Sequence, residues 1–467
     1  MRGTVAVCTL GTALLSVLPA INAIELVARA SPSVVGLDIE RKHVTNPIQR
    51  DRLRRKRDKV VGQLLDNEET LYFCNITLGT PAQHVRMHID TGSSDLWCNA
   101  PNSTLCTQNG DPCADSGTYN PEASSTYQFI NSLFNITYVD GSGASGDYVT
   151  DTLGLGGVSL PAFQFGVGFN SSSQEGVLGI GYPLNEVQVT QNGQPPYPNL
   201  PVALVDQGYT KWPAYSLWLN DLDASTGSIL FGGVNTAKFY DTLQTLPILQ
   251  SEGQYAELLV ALTGMSISGN GVDQELDIDN LTVLLDSGSS LCYLPKEVVN
   301  AIYMVVSATY DSSSGGAIIP CGSKYTDVTL NFRFSSTATI VVPMSELVLD
   351  GVSGQSSQNG EPSCVFGIAP ASDDTFVLGD TFLRSAYVVY DLGNNQISLA
   401  QTNFNSTGDH VLEIGTGPGA VPSATGVASP TTTTSKAWAG PTARPDVKLG
   451  ALAGLAGMGV GVVFGVV

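Results

Sequence analysis

The chain has 467 residues, enough for two or three domains and a large core. Only 13% of them are charged and 50 are glycine, which disfavours a helical protein and favours an all-β one with many turns. The formal charge of −21 is divided unevenly: residues 1–57 hold 10 Lys/Arg against 4 Asp/Glu, and the remainder 11 against 38, so the acidic body is excluded as a nucleic-acid binder. Such a body suits an acidic medium and attracts basic substrates.

Residues 1–23 read as a secretory signal peptide: Arg2, an apolar run from Val5 to Leu18, and Ala23 as the last residue. Residues 24–57 read as a propeptide. They are basic and end in Arg54-Arg55-Lys56-Arg57, a site for a dibasic-processing protease that would start the mature chain near Asp58. A basic prosegment has an electrostatic reason to lie in an acidic cleft and inhibit it. Six Asn-x-Ser/Thr sites, at Asn75, Asn102, Asn135, Asn170, Asn280 and Asn405, are candidate N-glycosylation sites in a secreted chain.

The first lobe is placed at 58–238. Leu71–Leu78 reads as a strand, and His84–Asp90 alternates with Val85, Met87 and Ile89 on one face. This strand runs into Asp90-Thr91-Gly92-Ser93-Ser94. His84 and His88 do not read as metal ligands, because no other ligands cluster near them. The return Val177-Leu178-Gly179 follows. The second lobe, 239–405, repeats the pattern: an apolar approach over Ile278–Asp286, then Asp286-Ser287-Gly288-Ser289-Ser290, and later Val377-Leu378-Gly379. One such motif is a weak signal. Two copies, each with the same downstream partner, read as two similar lobes that each supply one carboxylate to a shared cleft.

Two acids suit peptide hydrolysis by water without a covalent intermediate. One carboxylate takes a proton from water while its neighbour lends one to the carbonyl oxygen. Two carboxyls about 3 Å apart share a single proton. Gly92 and Gly288 allow a tight turn, and the hydroxyls of Thr91, Ser287, Ser93 and Ser289 are expected to orient the carboxylates. Elsewhere the second lobe carries a predicted helix over Lys296–Tyr310, strands over Val328–Phe334 and Ala386–Asp391, and a hairpin turn at Leu392-Gly393-Asn394-Asn395.

These motifs resemble pepsin-like aspartic proteases over about 70–405. Tyr72 to Trp97, Ser228–Val234 and Phe376–Arg384 share the likeness. The fungal yapsin-type, GPI-anchored branch is the nearer match, through Asn220–Gly227 and Tyr138-Val139-Asp140-Gly141-Ser142. The resemblance implies an all-β, bilobal fold with a few short helices and a cleft between the lobes. It also implies a β-hairpin flap over Ile136–Ser145 with Gly141 at its tip. Tyr138 would be the flap tyrosine, bonded to Trp97, or else an ordinary strand aromatic. Asp140 would favour a basic residue at the cleavage site, or else is a solvated turn aspartate. The implied activity is aspartic endopeptidase action on protein and peptide substrates, by a monomer, with no metal and no cofactor. The alternatives are a catalytically inactive surface binding protein of the same fold and a structural wall glycoprotein.

Seven cysteines remain after the signal. Cys106 and Cys113 bracket a short loop, and Cys321 and Cys364 match the family's second-lobe bridge. Both pairs are expected disulfides. A Cys74–Cys98 bridge, with Cys292 free, is the remaining guess. Residues 406–448 read as a Ser/Thr/Pro-rich stalk and 449–467 as an uncharged hydrophobic tail. Together they fit a GPI signal with attachment near Ser435, or a retained membrane helix.

Overall fold

Alternation builds most of this molecule. Along Gln83–Asp90 the side chains of Val85, Met87 and Ile89 fall on one face and are buried, as a period of two requires. The structure, a computed structural model, describes residues 33–42, 71–138, 142–224, 226–312, 316–350, 362–372 and 374–426. Ten strands frame its first part: β1 (Val35–Lys42), β2 (Leu71–Leu78), β3 (Gln83–Asp90), β4 (Leu96–Asn99), β5 (Gln128–Thr137), β6 (Gly143–Leu155), β7 (Val158–Ser171), β8 (Gly176–Gly179), β9 (Ala214–Trp218) and β10 (Thr226–Phe231).

A 13-stranded sheet runs in the order Gln244–Pro247, Gln396–Gln401, Ala386–Asp391, β9, β10, β1, β2, β3, β8, β4, β7, β6, β5. Its first three strands belong to the second lobe, so the two halves share one continuous hydrogen-bonded surface. Within each half the same local topology recurs. In the first, β3 runs parallel to β8, with Asp90 opposite Gly179, and β4 returns antiparallel to β8. In the second, Leu281–Leu285 runs parallel to Phe376–Leu378, and Cys292–Leu294 returns antiparallel to it. The glycine that ends each return is needed for passage under the motif loop. A Cβ on Gly179 would lie 2.6 Å from the Ser94 nitrogen, and one on Gly379 would lie 2.2 Å from the Ser289 carbonyl oxygen.

The propeptide reading meets a difference here. Val35–Lys42 is not in the cleft; it is strand β1, paired with β10 and β2. Its physical basis is apolar alternation: Val35, Leu37 and Ile39 are buried while Asp38 and Glu40 are exposed. Charge alone did not carry that information.

Three further expectations are corrected. The second-lobe helix spans Lys296–Val306, not Lys296–Tyr310, because Ser307 turns left-handed at φ 60° and Thr309–Asp311 joins a strand pair. Cys74 and Cys98 are both free and buried, so no bridge joins them. Two strands, β3 and β8, separate theirs in the sheet, a gap of roughly 14 Å at normal strand spacing and about twice the reach of a disulfide. Finally, the stalk does not begin at 406. Val411–Glu413 pairs with Gly233–Asn235, and Ile414 and Val421 are buried against Trp218, Phe239 and Tyr387. Four apolar residues spaced along a Gly/Ser-rich stretch suffice to dock it.

Disulfides join Cys106 to Cys113 and Cys321 to Cys364. Cys292 is a buried thiol whose sulfur lies 3.4 Å from Thr381 Oγ1. All six sequon asparagines are exposed. The signal peptide, Arg54–Arg57, Ser435 and the 449–467 tail lie outside the described residues, among which no helix is long and apolar enough to cross a membrane.

Candidate active site

Two strand ends meet where the lobes join. Asp90 closes β3, and its carbonyl accepts from the Ile180 nitrogen at 3.0 Å. Asp286 follows Leu281–Leu285 and donates its nitrogen to the Leu378 carbonyl at 3.1 Å. Their side chains converge: a Cβ on Gly288 would stand 2.4 Å from Asp90 Oδ1 and 2.9 Å from Asp286 Oδ1. Only glycine leaves room there for two carboxylates.

Each acid is held by the same pair of donors. Asp90 Oδ1 accepts from Gly92 N at 2.9 Å and Oδ2 from Ser93 Oγ at 2.6 Å. Asp286 Oδ1 accepts from Gly288 N at 2.7 Å and Oδ2 from Ser289 Oγ at 2.7 Å. Donors aimed at carboxylate oxygens stabilise the charged form and fix its orientation. Thr91 and Ser287, expected to orient the acids directly, bond elsewhere. Thr91 Oγ1 donates to the Leu285 carbonyl at 2.9 Å, and Ser287 Oγ donates to the Ile89 carbonyl at 3.0 Å. Each hydroxyl therefore crosses to the opposite strand and secures the residue before, not the carboxylate itself.

β5 and β6 form a hairpin over this centre, with Tyr138 N donating to the Ser142 carbonyl. Trp97 Nε1–H donates to Tyr138 Oη at 2.7 Å. Asp140 and Gly141 lie outside the described residues. His84 is exposed on β3, whereas His88 is buried with Nε2 3.3 Å from the Ser287 carbonyl. The described residues contain no group of three or more His, Cys, Asp or Glu placed to hold a metal.

The family model of the eukaryotic aspartyl proteases matches residues 71–402, spanning both motif copies and the flap. The chain belongs to the eukaryotic aspartyl protease family. It is 57% identical over 406 residues to the probable aspartic-type endopeptidase opsB of Aspergillus fumigatus, covering 86% of this chain and 83% of that one. To the probable aspartic-type endopeptidase OPSB of Arthroderma benhamiae it is 49% identical, covering 98% of this chain and 99% of that one. To the secreted aspartic protease 5 of Candida albicans it is 37% identical, covering 75% and 81%. The protein is an aspartic-type endopeptidase of the pepsin-like fold.

The protease's cleft has a cavity volume of about 340 Å³ around the two acids. Ile136, Tyr138 and Val187 line it from the first lobe, and Glu257, Leu284 and Val377 from the second. Behind the first-lobe wall sits a feature the motif reading missed. Asp95 is fully buried and accepts from Tyr148 Oη at 2.7 Å, Tyr197 Oη at 2.9 Å and Val187 N at 2.8 Å. Burial raises its carboxyl above the usual range, against the pull of those three donors. Glu186, also fully buried, is pushed up to about 9 by burial, with the Asp95 charge adding to the rise and a hydrogen bond from Tyr197 N opposing it. The signal was available in the repeat. Asp95 stands five residues after Asp90, where the second copy has Leu291. An acid where the twin is apolar marks a buried polar network.

Proposed function

We propose that the protease hydrolyses peptide bonds with one water activated between Asp90 and Asp286. The observation that carries this reading is the convergence of the two carboxylates under mirrored glycine and serine donors. One carboxylate takes the water's proton as the oxygen attacks the scissile carbonyl, and the other donates its proton to the carbonyl oxygen. Tyr138 and the hairpin close over the bound peptide and exclude bulk water. Basic residues at the cleavage site are the preferred substrates, because every charged residue lining the described cleft is acidic.

The same reading includes a zymogen. Within the propeptide 24–57, Val35–Lys42 is held in the sheet as β1, and inhibition falls to the rest of the segment until a dibasic-processing protease cuts after Arg57. The chain is exported, glycosylated at exposed asparagines, and held as a monomer at the outer cell surface by a GPI anchor near Ser435. The leader, the uncharged tail and the word "secreted" in the name of the Candida relative support this placement.

Peptide hydrolysis measured from pH 3 to 8, with and without a hydroxyl-bearing transition-state mimic, tests the mechanism. The expected result is an acidic optimum and full inhibition. A rate that climbs steadily above neutrality, or insensitivity to the mimic, overturns it.

A further inference from the structure

The charged side chains lining the described cleft are Asp90, Asp95, Asp286 and Glu257. Three of them are committed. The two central acids are held by their glycine and serine donors, and Asp95 is bound by two tyrosines and a backbone nitrogen. Glu257 is different: it is half-buried, and no residue among those described donates a hydrogen bond or ion pair to its carboxylate.

Its position follows from strand register. Leu259–Leu262 pairs antiparallel with Leu281–Leu285, with Leu259 opposite Leu284. Leu285 N donates to the Leu258 carbonyl at 3.3 Å, which carries the ladder one step further. Glu257 is the residue before Leu258, at a bend where the strand pairing has ended. Glu257 therefore sits just ahead of this strand and lines the cleft from the second lobe, among the same lining residues as the second central acid.

We infer that Glu257 is a specificity-determining residue that binds a lysine or arginine side chain of the substrate, one that packs on the second-lobe wall. The inference rests on the peptidase reading and names the group responsible for its basic preference. A carboxylate withdrawn from part of its water, with no cation among the described residues beside it, is stabilised by an incoming ammonium or guanidinium. The neighbouring acids reinforce that choice, because they add negative potential where the substrate charge would sit. An acidic substrate side chain at this position is repelled by the same field.

The test compares kcat/KM for peptides differing only by lysine or uncharged norleucine at each position around the cut. In the wild-type protease, lysine is preferred at one position. Glu257→Gln lowers that lysine-to-norleucine ratio by about tenfold, the loss of one charge-assisted contact. Glu257→Lys moves the preference at that position toward glutamate. Asp273→Asn, which removes an exposed charge on the strand Val272–Leu276, leaves the ratio where it was. Thermal melts establish that each variant is folded. An unchanged ratio in folded Glu257→Gln overturns the assignment alone. Failure of the wild-type protein to cut any peptide overturns the peptidase reading and the assignment together.

Discussion

Thr91 and Ser287 hold each other's strands. Thr91 Oγ1 donates to Leu285 O and accepts from Ser287 N, both at 2.9 Å, while Ser287 Oγ donates to Ile89 O at 3.0 Å and accepts from Thr91 N at 3.2 Å. Both residues are buried. This exchange fixes the residue before each acid and so sets the separation of the two carboxylates. Ser287→Ala leaves a buried carbonyl and a buried N–H without their partners, at a cost of roughly 1–3 kcal/mol. The expected outcome is a lower melting temperature together with a lower kcat. Calorimetry and steady-state kinetics check it, and a kcat equal to wild type would separate this exchange from the spacing of the acids.

Asp90→Asn and Asp286→Asn each remove one proton-transfer partner while preserving shape. Each is expected to lower kcat by about 10²–10⁴-fold, with the fold retained by circular dichroism. Substantial cleavage by either variant would remove that residue from the chemistry.

Tyr138→Phe keeps the flap's ring but takes away the acceptor for Trp97 Nε1–H. A neutral hydrogen bond contributes about 0.5–1.5 kcal/mol net, so kcat/KM should fall roughly 2- to 10-fold. Trp97 is fully buried against Phe134, with ring centroids 6.2 Å apart, so the melting temperature should change little. A large stability loss with unchanged kinetics would make the contact structural.

Glu186 gives the protein a pH-dependent stability. Burial pushes its carboxyl from the ordinary value of about 4.5 up to about 9 in the folded state. Between those values the folded state keeps a proton that the unfolded state has lost, so stability falls as pH rises. The contribution is complete below about 4.5 and gone above about 9. Asp95 is raised in the same direction. Melting temperatures measured from pH 4 to 9 should decline, and Glu186→Gln should flatten the decline. An unaltered slope in that variant would assign the effect to other groups.

Several parts of this fold could be read directly because they depend on short-range geometry. The two Asp-Thr/Ser-Gly-Ser turns, their Leu-Gly returns and the strand ending at Asp90 are local patterns: an apolar alternation, a glycine where backbones touch, small hydroxyls beside an acid. Tyr138 was legible through its motif context, and Cys106–Cys113 through a short loop that leaves few partners. By contrast, the Cys74–Cys98 guess failed because sequence distance does not state how many strands lie between two residues.

The sequence by itself determined the twofold motif, the alternating strands and the acidic character of the body, since each is carried by residues a few positions apart. Tertiary structure alone decided that Val35–Lys42 slots between β2 and β10, and that Thr91 and Ser287 reach across to one another. It also decided that Asp95 is enclosed by two tyrosines and that Glu257 lines the same cleft as Asp286. These facts depend on strand order and register between segments as many as 196 residues apart. Such pairings are selected by the joint burial of many apolar faces, a property of the whole chain that no single stretch contains.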